Sequence, residues 1–120
     1  MNQRRKSPKV STFAIFGNHE VATALGLFEA ANGHLSLECG SLPDIYWESL
    51  VEHLEKEEGF SRSGQPIVGA NEMIHQDFVT ARLSLSAGWD NWSGHYLLAK
   101  CEEGDHFLRQ LYEKLKNRAM

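Results

Sequence analysis

The stretch that most constrains the fold runs from Phe78 to Cys101. It reads FVTARLSLSAGW, then DN, then WSGHYLLAKC. Val79, Ala81, Leu83, Leu85 and Ala87 alternate with polar residues. A period of two marks a strand with one buried face. A second apolar run follows Asp90 and Asn91, so the stretch reads as a long β-hairpin turning on those two residues. That turn sets Trp89 and Trp92 opposite each other.

The chain before the hairpin supplies further strands. Ile67 to His75 alternates, and a turn at Gln76-Asp77 sets Ile74 opposite Val79, Ala70 opposite Leu83 and Val68 opposite Leu85. That face is apolar except for Glu72 opposite Ala81, so three strands form a meander. Val10 to Phe16 is β-branched and aromatic and reads as the first strand. Glu20 to Gly33 admits two readings. As a helix, Val21, Leu25 and Phe28 share a face, with Asn18 as cap and Gly33 as stop. As a hairpin turning at Asn32-Gly33, Ala30 pairs with Leu35, Phe28 with Leu37 and Gly26 with Cys39. Only the hairpin accounts for the alternation from His34 to Cys39, and it is the preferred reading.

Two segments have helical spacing. Tyr46, Trp47, Leu50, Val51 and Leu54 make an apolar stripe after Ser41-Leu42-Pro43-Asp44, which resembles a capping box, and Gly59 ends it. Phe107, Leu108, Leu111, Tyr112 and Leu115 make a second stripe of the same spacing, starting at Gly104-Asp105. Acids at its start and bases at its end suit the helix dipole. Each helix follows three expected strands, a βββα pattern repeated twice. The fold class expected is α+β, a mostly antiparallel sheet of about six strands with two helices packed on it. A chain of 120 residues fits one domain, here 10–118, behind a mobile basic tail at 1–9.

Charge and cysteine usage narrow the function. The net charge is −4, and no basic stripe lies beyond Arg4, Arg5, Lys6 and Lys9, which argues against a nucleic-acid partner. No apolar run approaches the roughly 20 residues of a membrane span. Cys39 and Cys101 are too few for a disulfide scaffold and are read as reduced thiols packed in strands, which suits a cytoplasmic protein.

No familiar catalytic spacing appears. His19, His34, His53, His75, His95 and His106 show neither HExxH nor HxH, so no metal site is expected. His53 falls off the first helical stripe and His75 at a turn. Phosphate-cradling and nucleophile-elbow motifs are absent, and no cofactor is expected. Cys39 and Cys101 each precede a helix, where a thiolate gains from the helix N-terminus, although a buried apolar role is commoner. Glu48, Glu52 and Glu55 make the first helix acidic, either a solvated face or a docking face for a basic partner. Trp89-Asp90-Asn91-Trp92 either staples its hairpin or presents aromatic anchor area.

The order of LPDIYWESLVEHLE, HQDFVTARLSLSAGWDNWSGHYLLA and CEEGDHFLRQLYEKL resembles small bacterial α+β domains that include WapI-type immunity proteins. The likeness runs over roughly residues 20–115 as a pattern of elements, with no signature residue to carry over. It implies a cytoplasmic protein that neutralises a toxin. The acidic first helix, the tryptophan turn and the lack of a catalytic constellation point to a non-catalytic cytoplasmic binding protein, an immunity protein or other inhibitor, for a protein partner of basic character. Its expected surface is Trp89, Asp90, Asn91 and Trp92 with Glu48, Glu52 and Glu55. The alternatives are an enzyme with an unfamiliar His/Cys site, or an accessory subunit pairing through a sheet edge.

Overall fold

The computed structural model describes residue 21 and residues 23–118. The expected first strand and the basic tail lie outside the described residues. The described chain runs β1 (Gly26–Glu29), β2 (Leu35–Glu38), α1 (Asp44–Lys56), β3 (Ser61–Ser63), β4 (Ile67–Val68), β5 (Glu72–Val79), β6 (Ser84–Asp90), β7 (Gly94–Ala99) and α2 (Glu102–Arg118). The fold is α+β. Its seven strands form one sheet in the order β1-β2-β7-β6-β5-β3, with β4 also paired to β5. Every pairing is antiparallel.

The alternation from Val79 to Ala87 does not lie in one strand. The chain turns between Thr80 and Leu83, which splits it into β5 and β6. Thr80 makes this turn without glycine, proline, asparagine or aspartate. Its Oγ1 accepts the Arg82 and Leu83 N–H groups, each at 3.2 Å, and its own N–H donates to the Leu83 carbonyl at 2.9 Å. A hydroxyl that gathers local amides competes with the ladder. The expected turn at Gln76-Asp77 is instead a β-bulge, two residues facing Ser86 alone between the His75↔Ala87 and Phe78↔Leu85 pairs. Val79 consequently faces away from the core, and Phe78, Leu85 and Ala87 face into it.

The segment 20–33 contains both a turn of helix and a strand. The Leu25 N–H donates to the Val21 carbonyl at 2.8 Å, and β1 then begins at Gly26. The β1–β2 hairpin does turn at Asn32-Gly33, but its register is Leu27↔Leu37 and Phe28↔Ser36. Gly33 takes a positive φ of 83° at the end of a three-residue loop, with Ala30 N–H donating to the His34 carbonyl at 2.8 Å. The odd loop length shifts the pairing by one residue and sends Leu27, not Phe28, to the core face.

The β6–β7 loop is also three residues long, with its left-handed glycine one position later. Asp90 pairs with Gly94 around Asn91, Trp92 and Ser93, so Trp89 lies opposite His95 and not opposite Trp92. Gly94 has φ +67°, and a Cβ there would overlap the Gly40 carbonyl oxygen and lie 2.9 Å from the Gly40 nitrogen. Gly94→Ala should therefore lower the melting temperature by several degrees more than Gly33→Ala. Strained backbone costs about 1–3 kcal/mol at either position, but a Cβ at Gly33 meets nothing. Thermal melts of the two variants check this, and equal shifts would contradict the close approach to Gly40.

Both helices cover one face of the sheet. Leu50 and Leu54 of α1 share a core with Leu108, Leu111 and Leu115 of α2 and with Leu37, Phe78, Leu85, Leu97 and Ala99. The second helical stripe packs as its spacing requires. In α1 the buried side is wider, because Ser49 and His53 are also buried. Pro43, not Ser41, stands at the N-cap, and no side-chain cap is made. A βββα repeat does not describe the chain, since five strands separate the helices. The cysteines also diverge. Cys39 is buried, and burial pushes its thiol up to about 12, whereas Cys101 is exposed between β7 and α2.

Candidate functional site

The features that distinguish this molecule gather at the end of the sheet where β6 turns into β7. The turn is braced from within. Asp90 Oδ1 accepts the Trp92 N–H at 2.9 Å and the Ser93 N–H at 2.7 Å. It is braced from outside by the segment entering α1, where Gly40 N–H donates to the Ser93 carbonyl and Cys39 N–H to the His95 carbonyl, both at 2.8 Å. These bonds fix the loop backbone, yet Trp92 at its tip is 89% exposed. The hairpin does not need this indole for packing.

An apolar row runs across the sheet behind the turn. The pairs His95↔Trp89, Trp89↔Met73 and Met73↔Val68 align one side chain from each of β7, β6, β5 and β4. They share the core-side face, but the row becomes exposed away from α1. Trp89 and Met73 are half-buried, and Val68 is 77% exposed. Ile45 in the first turn of α1 is 51% exposed. Asp44 and Glu48 on α1 bring acids to this end, while the paired Glu72 and Asp90, next to Met73 and Trp89, point to the other face of the sheet beside Tyr96. Among the described residues none of these four makes an ion pair with lysine or arginine.

The expected surface residues therefore divide. Asp90 shapes the turn, Asn91 and Trp92 are exposed on it, and Trp89 joins the row. Glu48 lies one helical turn beyond Asp44, on the side of α1 that starts at this end. Glu52 and Glu55 lie further along α1. Glu52 Oε2 is 3.2 Å from Lys56 Nζ, and Glu55 is 3.8 Å from Arg62 of β3. These two carboxylates are already matched with cations.

Beneath the turn lies a cluster that spacing alone does not reveal. His75 Nε2 is 3.1 Å from His95 Nδ1, and His95 Nε2 is 3.1 Å from Asp44 Oδ1. Trp47 stacks on both rings, with centroids 5.4 Å from His75 and 4.9 Å from His95. His75 is in the middle of β5 rather than at a turn. Burial holds its imidazole below the usual histidine range, and His95 and Arg62 push the same way. The tautomers follow from the partners: His95 carries hydrogen on Nε2 toward the Asp44 carboxylate and accepts from His75 on Nδ1.

Two further polar clusters hold the opposite part of the fold together. Asp105 Oδ1 accepts the Leu35 N–H and Oδ2 lies against His34 Nδ1, both at 2.8 Å, and the His34 bond leads in holding this carboxyl below its usual range. Glu58 Oε2 receives Lys114 Nζ at 2.8 Å and His53 Nε2 at 2.9 Å. Burial works to raise the Glu58 carboxyl, and the Lys114 and His53 contacts outweigh it and lower it. A cleft of about 400 Å³ opens beside Glu58, between Phe60, Leu83, Phe107 and His106. Arg82 and Glu103 on its lining are paired with each other, Nε donating to Oε2 at 2.9 Å. Neither His75 nor His95 lines this cleft.

Among the described residues, no group of three histidine, cysteine, aspartate or glutamate side chains is placed to hold a metal ion. No described helix is long and apolar enough to cross a membrane. Compared with protein families, with curated proteins and with solved structures, the chain has no match.

Proposed function

We propose that this is a non-catalytic binding protein that takes a basic protein partner on the end of the sheet formed by the Trp92 turn and the start of α1. The carrying observation is Trp92, an 89% exposed indole on a backbone fixed by Asp90 and Gly40. Tryptophan on a pre-ordered loop offers large contact area at little entropic cost. Trp89, Met73, Val68 and Ile45 extend the apolar area, while Asp44 and Glu48 beside it supply a field that attracts cations and speeds association. This surface keeps Trp89, Asp90, Asn91, Trp92 and Glu48 in the binding reading, and leaves Glu52 and Glu55 to their local pairs. A toxin neutralised by a WapI-type immunity protein would be a partner of this chemistry.

The enzyme alternative requires a histidine beside a carboxylate within a pocket. The His75–His95–Asp44 chain lies away from the cleft, and at the cleft the Glu58 carboxylate is engaged by both His53 and Lys114; the exposed Trp92 on its fixed loop is what favours the binding reading. The test is a purified basic partner titrated against folded variants. Trp92→Ala should weaken binding at least about tenfold through faster dissociation, and Glu48→Lys should slow association and flatten its salt dependence. Wild-type rate constants in both variants would remove this surface from the interface.

A further inference from the structure

We propose that His75, His95 and Asp44 form a proton-sensitive brace, which holds the base of the Trp92 turn against β5 at neutral pH and releases it in acid. The proposal takes its consequence from the binding reading, since the braced parts are those that carry the partner surface. The geometry of the brace is independent of that reading.

The three residues come from three elements, which Trp47 of α1 also joins by stacking on both rings. Asp44 is the first residue of α1, His95 follows Gly94 at the base of the turn, and His75 lies on β5. His95 is the junction. Its carbonyl accepts the Cys39 N–H, its ring reaches Asp44 and His75, and Trp47 covers its face.

Proton counting gives the switch. In the neutral pair His75 Nε2–H donates to His95 Nδ1, and His95 Nε2–H donates to Asp44. A first added proton leaves both bonds intact, because one hydrogen still lies between the two rings. A second proton places hydrogen on both facing nitrogens, so the His75–His95 bond is lost and two cations meet. The groups facing this pair do not relieve that repulsion. On α1 there is Asp44, whose side chain is 85% exposed and screened, and Trp47, which carries no charge. Glu55 on α1 is directed to Arg62, and Arg62 on β3 adds positive charge. The β6 neighbours across from His75 and His95 are Ala87 and Trp89, which do not titrate in this range. Burial already holds the His75 imidazole below the usual histidine range, and the facing ring and Arg62 push the same way, so the pair resists full protonation until the pH falls below that range.

The sign follows from linkage. A histidine held neutral in the folded state favours folding at high pH, and that contribution is lost as pH falls below the unfolded value. Here the loss is local. Repulsion from His75 pushes the His95 ring, and with it the base of the turn, out of its seat under Trp47, while His95 keeps its bond to Asp44, and the Trp92 anchor loses its pre-order.

The experiment follows the full chain by ¹⁵N NMR from about pH 7.5 to about pH 4.5. Ring nitrogens report the histidine pair, and amide relaxation reports Trp92 and Ser93. The expected result is a two-step titration of the pair, with the turn becoming mobile on the second step. His75→Gln keeps an N–H for His95 Nδ1 but cannot take a proton, so its turn should stay ordered at the lower pH. If the amides stay ordered in the wild type, or lose order at a midpoint different from that of the ring titration, the brace is overturned. A folded His75→Gln that follows the wild type does the same. A decalysine peptide serves as binding probe, read by Trp92 fluorescence. It should bind at the higher pH and lose at least about tenfold more affinity in the wild type than in His75→Gln on acidification. A peptide that does not bind at the higher pH counts against the binding surface, while the relaxation data still decide the brace.

Discussion

Leu85→Asp is expected to leave the protein without a cooperative fold. Leu85 is fully buried on β6, where its neighbours across the ladder are Phe78 of β5 and Ala99 of β7. Loss of the leucine packing alone costs about 2–5 kcal/mol. The carboxylate must then be buried without a cation or be forced to take up a proton, which adds several kcal/mol more. Together these match or exceed the roughly 5–15 kcal/mol that holds a domain of this size. The measurements are far-UV circular dichroism and a urea titration, with loss of the cooperative transition expected. Leu83→Asp is the informative comparison. Leu83 is only half-buried in the turn beside the cleft, so aspartate there reaches water and should cost about 1–2 kcal/mol, the share of leucine burial that is given up. If the two variants melt alike, the turn at Thr80 is misplaced and the alternation from Val79 to Ala87 is one strand after all.

That comparison also shows where sequence reasoning reaches and where it stops. Alternation at Leu35, Leu37, Leu85 and Ala87 is enough to identify strands, since a half-buried strand must repeat every two residues. The stripes at Leu50 and Leu54 and at Leu108, Leu111 and Leu115 identify the helices for the same kind of reason. Register is different, because it depends on loop length, and one residue inverts every face. Gly33 and Gly94 signal turns, but the sequence around them does not distinguish a two-residue loop from a three-residue loop with a left-handed glycine at or just after its last position. Thr80 turns the chain with its hydroxyl alone, leaving little trace in composition.

The histidine brace was out of reach for another reason. His75 and His95 are 20 residues apart and His95 and Asp44 are 51 apart, so their contact exists only after the sheet has formed. A bulge at Gln76-Asp77 also sets which face of β5 carries His75, and no local pattern announces it. For the acids, sequence could identify Glu48, Glu52 and Glu55 as one helix but not that Lys56 and Arg62 would engage two of them. The exposed Trp92 was legible as an unusual residue, and its separation from Trp89 was not.

Trp47→Ala should produce the second largest effect, and it separates the two roles that tryptophan plays in this chain. Trp47 is 7% exposed, stacks on His75 and His95, and meets Phe78 edge to face at 6.3 Å. It is the main side chain by which α1 grips β5 and β7 at the turn end. Removing a buried tryptophan costs about 3–5 kcal/mol. At about 4–8 °C per kcal/mol for a domain near this size, the melting temperature should fall by at least roughly 12 °C. A second signature should accompany the loss of stability. Burial is the leading reason that His75 resists protonation, so opening its stacked face to water should raise its titration toward the ordinary histidine value. Trp92→Ala, by contrast, should change stability by no more than about 0.5 kcal/mol, because its indole is exposed and its loop is held by Asp90 and Gly40. Calorimetry on both variants, with histidine ring NMR on the first, decides the matter. A small loss in Trp47→Ala with an unchanged His75 titration would mean that α1 does not pack on the sheet through this ring. A large loss in Trp92→Ala would return that indole to a structural role and take away the observation on which the binding surface rests.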